Sequence, residues 1–125
     1  MPGAGDHEHM TKAQTPEDIT RLFVERVNAG DAQGLADLYE PDAVIAFPPG
    51  ELTQGRDAIV ALYEAMVAQK PHFEYEEPLT TLISGDIALT ATEAQDEAGA
   101  RAQVVRRQSD GTWLRVLDRP DFTSK

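Results

Sequence analysis

The chain has 125 residues, 41% of them hydrophobic and 26% charged, the balance of one soluble globular domain around a single core. Asp and Glu number 22 against 11 Lys and Arg, a formal charge of −11; such a surface repels phosphate backbones and anionic lipids, which argues against nucleic-acid and membrane partners. Cysteine is absent, which removes disulfides, thiolate nucleophiles and cysteine-ligated metal sites together. No apolar run approaches the roughly 20 residues that cross a bilayer, and the first ten residues lack the basic start and apolar core of a secretory signal, so the expected location is cytoplasmic.

Residues Met1 to Gln14 are rich in Gly, His and charge without apolar periodicity and read as a mobile arm. Thr15 then offers a cap, Pro16 suits the first helical position, and Glu17 and Asp18 set negative charge against a helix N-terminus. Ile19, Leu22, Phe23 and Val27 recur at helical spacing up to Gly30. Asp31 caps a second, short helix with Leu35, Leu38 and Tyr39 on one face, expected to stop before Pro41. Ala43 to Phe47 is a compact apolar run suited to a buried strand, closed by Pro48-Pro49-Gly50. After Glu51 to Gln54, Gly55 opens a third helix whose stripe is Ile59, Leu62, Tyr63, Met66 and Val67, ended by Pro71.

From His72 the period changes from helical to alternating. Strands are expected from Phe73 through Ile83 with a break at Pro78, from Ile87 to about Ala94, from Arg101 to Gln108 and from Thr112 to Asp118. Ser84-Gly85-Asp86, Asp96 to Ala100 and Ser109-Asp110-Gly111 turn the chain between them. Three helices followed by a curved, mainly antiparallel sheet make an α+β domain over residues 15–120, with a short tail over 121–125.

The sequence has no Walker-A loop, no dinucleotide-binding glycine pattern, no H-E-x-x-H and no G-x-S-x-G. His7 and His9, beside Asp6 and Glu8, alternate in the arm and do not preorganise a metal site.

From Thr15 to Pro120 the order of elements and their punctuation resembles the nuclear-transport-factor-2-like superfamily, in particular its SnoaL-like and ketosteroid-isomerase-like members. The resemblance rests on A-G-D at Ala29 to Asp31, L-Y-x-P-D-A at Leu38 to Ala43, P-x-G at Pro48 to Gly50, G-R-x-A-I at Gly55 to Ile59, G-D-x-A at Gly85 to Ala88, and D-G-T-W at Asp110 to Trp113. It implies a curved sheet wrapped around helices, a cone-shaped interior, and a homodimer formed through the sheet's outer face.

In the isomerases of that superfamily a general-base Asp precedes the proline of P-x-G, an oxyanion-hole Tyr lies on helix one, and a protonated Asp lies on a later strand. The matching residues here are Phe47, Phe23 and Gln103. Phenyl rings neither take nor give protons, so steroid isomerisation by those groups is not expected. Tyr39 and Tyr63 match tyrosines that support the catalytic one, but on helical stripes they read first as core residues with their hydroxyls satisfied locally.

SnoaL-like cyclases carry an acidic general acid/base on the last strand, and Asp118 falls near that place. Strand parity groups Leu114, Val116 and Asp118 together, and the resemblance turns that set toward the cavity. The alternative for Asp118 is an ion pair with Arg101, Arg107 or Arg119. Gln103 can offer an amide, Arg101 and Arg107 could hold an anion if they face inward, and Glu93 is a candidate carboxylate partner for Asp118. Asp42 and Arg56 read as structural. Two functions follow: a pocket lined by Phe23, Leu38, Tyr39, Phe47, Tyr63, Val67, Leu114 and Val116 for a small apolar or aromatic metabolite, and acid/base chemistry of isomerase, cyclase or dehydratase type through Asp118 with Gln103 or a tyrosine. Neither calls for a metal or organic cofactor. The third reading is a non-catalytic association domain.

Overall fold

A computed structural model describes residues 12–93 and 99–121 of the chain. The first helix, α1 (Pro16–Asn28), begins in a complete capping box. The Thr15 side chain accepts from the Asp18 N–H, and the Asp18 carboxylate accepts from the Thr15 N–H. Its far end closes as a Schellman motif, with Gly30 at φ 72°, Gly30 N–H on the Val27 carbonyl and Asp31 N–H on the Arg26 carbonyl. Asp31 caps α2 (Ala32–Ala36) through the Gly34 N–H. The buried faces of α1 and α2 supply Ile19, Leu22, Val27, Leu35 and Ala36 to the core.

The remaining elements are β1 (Tyr39–Ile45), β2 (Thr53–Gln54), α3 (Arg56–Ala68), β3 (Leu82–Ser84), β4 (Ile87–Thr92), β5 (Arg101–Arg107) and β6 (Trp113–Arg119). They form one curved six-stranded sheet in the order β2-β1-β6-β5-β4-β3, parallel between β1 and β6 and antiparallel elsewhere. The three helices pack on its inner face, where Ile45, Ala88, Val105 and Trp113 meet Ile59 and Tyr63 in one buried cluster. Arg56 ties the start of α3 to the end of α2 through Asp37 and Gln33. Among the described residues no helix is long and apolar enough to cross a membrane.

Four local expectations need correction. The expected arm ending at Gln14 is already in place at Ala13, which is buried and bridges Trp113, while Lys12 pairs with Asp110; His7 and His9 lie outside the described residues. Tyr39 opens a strand rather than closing a helix, and Pro41 sits inside that strand. Its missing N–H is tolerated because β1 bulges between Tyr39 and Val44, where pairing with β6 lapses. The stretch from His72 to Thr81 is not strand. Pro71, Pro78 and three glutamates disfavour a ladder there, and it is pinned instead by the Asn28 side-chain amide, which donates to the Phe73 carbonyl and accepts from the Phe73 N–H, and by Leu79 N–H on the Ala91 carbonyl. Asp42, read as a structural residue, lies exposed within β1 rather than in a turn before it.

Candidate functional site

The concave side of the sheet and the faces of α1 and α3 leave a cavity of about 530 Å³, within the range that takes a small organic molecule. Phe23, Ile45, Phe47, Leu62 and Met66 line its walls. Tyr63, Gln103, Arg115 and Asp118, all buried, line its inner part. The exposed segment over His72, Phe73 and Glu74 borders its outer part, together with Arg101 and Asp121.

The buried polar groups form one connected network. Tyr39 Oη donates to Asp118 Oδ2 at 2.6 Å, and Tyr39 and Tyr63 hydroxyls meet at 2.6 Å. Because the single Tyr39 proton is committed to the carboxylate, Tyr63 is the donor in that pair. Gln103 Nε2 donates to Asp118 Oδ1 at 3.2 Å, and Thr90 Oγ1 donates to Gln103 Oε1 at 2.8 Å, which fixes the amide with its NH2 toward Asp118. Arg115 Nη1 reaches Tyr39 Oη at 3.3 Å and lies 3.6 Å from Asp118 Oδ2. The Arg115 guanidinium sits 5.0 Å from the Phe23 ring centre and 5.8 Å from that of Tyr39, a cation held between aromatic faces.

Burial, then the charge of Asp118, raises the Tyr39 hydroxyl well above its ordinary value, and the same two causes raise Tyr63. Both therefore remain donors across the physiological range. Burial opposes the charge on Arg115, but Tyr39, Asp118 and Tyr63 outweigh it and the group stays a cation.

This placement needs a bend in β6 that alternation does not reveal. Val105 pairs with Arg115 and Val104 with Leu117, so two steps on β6 match one on β5 and Val116 is the extra residue. The bulge turns Arg115 and Asp118 to the same side although they differ in parity. Leu114 and Val116, expected at the cavity, are not among its lining residues, and neither are Leu38 and Val67, which belong to the core packing. Phe23, Phe47, Tyr63, Gln103 and Asp118 do line it, and Tyr39 stands directly behind, holding Asp118.

The expected ion pairs also change. Asp118 faces Arg115, whereas Arg101 pairs with Glu76 at 3.2 Å at the cavity's border, and Arg107 pairs with Asp86 on the outside. Glu93 is exposed and does not line the cavity. Arg115 escaped the sequence reading; its only signal was an arginine in the apolar run Trp113 to Leu117, where strict alternation put it opposite Asp118. Among the described residues no cluster of three or more His, Asp or Glu could hold a metal ion.

A family model described as SnoaL-like domain matches residues 20–119. No curated protein matches the chain. Among solved structures, a proposed calcium/calmodulin-dependent protein kinase type II association domain from Thiobacillus denitrificans is similar at TM-score 0.66 and 21% identity, over 85% of this chain and 94% of that one. A ketosteroid isomerase-like protein from Erwinia carotovora aligns at TM-score 0.63 and 20% identity, covering 82% and 89%. A proposed dehydratase of the NTF2-like family from Streptomyces avermitilis aligns at TM-score 0.59 and 19% identity, covering 83% and 92%. Identities this low speak to the fold alone.

Proposed function

The chain belongs to the SnoaL-like domain family, and we propose that it takes a small, mainly apolar or aromatic molecule into its cavity and moves a proton on that molecule through Asp118. The observation that carries this reading is a buried carboxylate on the wall of a cavity of about 530 Å³, held in place by Tyr39 and Gln103 and faced by Arg115, with Phe23, Ile45 and Phe47 among the other lining residues. A carboxylate accepts up to about four hydrogen bonds, so these two donors leave lone pairs for a substrate proton. Positions 23 and 47, where the ketosteroid isomerases keep an acid and a base, hold phenyl rings that shape the pocket and cannot share the proton work. That leaves isomerisation, cyclisation or dehydration centred on Asp118, and the proposed dehydratase among the structural neighbours is in keeping with this.

The test is hydrogen–deuterium exchange at the acidic carbon of a small cyclic ketone, 2-tetralone, followed by NMR. Wild-type protein is expected to speed exchange at least about tenfold over buffer, and Asp118→Asn to return it to the buffer rate while the ketone still shifts the melting temperature. Equal exchange by both proteins would remove Asp118 from the chemistry.

A second proposal concerns the outer face of the sheet. Leu82, Leu89, Val104, Leu117 and Val44 are successive cross-strand partners across five strands, and Leu82, Leu89 and Leu117 are 63%, 41% and 49% exposed. An apolar row of this length supports a homodimer through that face, as does the association-domain description of one structural neighbour.

A further inference from the structure

We propose that Arg115 is the electrophilic partner of Asp118: its guanidinium, held on the cavity wall by Phe23 and Tyr39, receives the ligand oxygen on which negative charge gathers as Asp118 takes a proton. This rests on the proton-transfer reading above and names the residue and the ligand chemistry that it requires.

The other side-chain donors of the network are already committed. The proton of Tyr39 is committed to Asp118, that of Tyr63 to Tyr39, and the Gln103 amide is fixed between Thr90 and Asp118. Arg115 differs. Among the described residues its side chain makes one hydrogen bond, to Tyr39 at 3.3 Å, its distance to Asp118 is 3.6 Å, and Nε is buried without a partner. A guanidinium carries five N–H donors, and buried donors without acceptors are costly. Arg115 is only 4% exposed and lines the cavity. Thr92, another residue of the cavity wall, also has a buried hydroxyl without a partner. Two unmatched polar groups on residues of the cavity wall fit a ligand bearing acceptor oxygens.

Charge balance narrows the ligand to a neutral carbonyl compound with an acidic C–H. A preformed anion would set two negative charges, its own and that of Asp118, against one buried guanidinium. With a neutral carbonyl, the C–H bond next to the carbonyl breaks and its proton passes to an Asp118 oxygen. The bonding pair becomes a carbon–carbon double bond, and the carbonyl π pair moves onto oxygen. The negative charge then leaves the carboxylate and appears on the ligand oxygen, so Arg115 faces one anion before and after the step. Where a carbon–carbon double bond lies β,γ to the carbonyl, the product is a dienolate, and returning the proton at its γ-carbon moves that double bond into conjugation and completes an isomerisation. The outer part of the cavity, with Glu74, Glu76 and Asp121 against Arg101 and His72, disfavours an oxyanion there and favours the oxygen-inward orientation.

The test uses 2-naphthol, whose ionised form imitates the oxyanion, and naphthalene, which has the same rings without oxygen. Asp118→Asn imitates the protonated carboxyl, so naphthol is expected to bind that variant at least about tenfold more tightly than wild type, with the absorbance of bound naphtholate. In that background Arg115→Met should remove the naphtholate band and weaken naphthol roughly tenfold or more, leaving naphthalene within about twofold. Should the Met variant not fold by circular dichroism, Arg115→Lys decides, because it keeps the charge and loses the planar fork; loss of the naphtholate band with naphthalene unchanged is again the expected result. Naphthol and naphthalene affected equally, or naphtholate persisting without Arg115, would overturn the proposal. If neither probe binds wild type or the Asn variant, the pocket reading itself fails and takes this one with it.

Discussion

At the scale of single residues, Asp118 is defined by the groups that hold it. Tyr39 touches Asp118, Tyr63 and Arg115 at once, so Tyr39→Phe leaves three partners short of a hydrogen bond, whereas Tyr63→Phe removes only the outermost donor. Tyr39→Phe should therefore cost about 2–3 kcal/mol of stability and Tyr63→Phe about 1 kcal/mol, read from urea unfolding midpoints. The two raised hydroxyls also set an alkaline limit. Their folded-state values lie above the unfolded value near 10 because burial and the charge of Asp118 oppose ionisation. Their stabilising contribution is thus fully present below about pH 10 and is lost as pH rises beyond it. Ultraviolet titration should show Tyr75 ionising before the fold is lost, since burial and Glu77 raise it only modestly and it is 47% exposed. Tyr39 and Tyr63 should ionise only with unfolding; three tyrosines titrating together in the folded protein would contradict the network.

At the scale of elements, helix starts and the end of α1 were legible, and strand irregularities were not. Caps are written in adjacent residues, so Thr15 with Asp18, Gly30 and Asp31 announce α1 and α2 before any packing is known. Gly34 adds what propensity alone misses. A Cβ there would collide with the Asp31 carboxylate that caps α2, and Arg26 Nη1 donates to the Gly34 carbonyl at 2.6 Å. Gly34→Ala should consequently destabilise by about 1–2 kcal/mol in thermal unfolding, the size of a lost cap, although alanine is the better helix former. The bulges at Val116 and between Tyr39 and Val44 belong to the pairing of two strands far apart in sequence, and neither strand alone records its partner's register. This is why Leu114 and Val116 were expected at the cavity and Arg115 was not.

At the scale of the whole molecule, the sheet divides the chemistry. Its concave side holds the buried polar network, and its outer side carries the apolar row from Leu82 to Val44. If that row joins two copies, Leu89→Lys together with Leu117→Lys should convert a dimer to a monomer in sedimentation without lowering the cavity's affinity for naphthalene. A wild-type protein that sediments as a monomer at working concentration would exclude the homodimer. The formal charge of −11 bears on the same contact, since two such copies repel, and added salt should tighten association.

The α+β class and the order of helices and strands were available from the sequence, because periodicity, caps and turn residues are local properties of the chain, and the family resemblance pointed to Phe23, Phe47, Gln103 and Asp118 as candidates. The contacts around Asp118, and Arg115 among them, were not. Tyr39 comes from the start of β1, Tyr63 from α3, Gln103 from β5 and Arg115 from beyond a bulge in β6. Only the tertiary structure decides that these separate segments converge, because register and bulges are set by strand pairing and packing over long separations rather than by the residues next door.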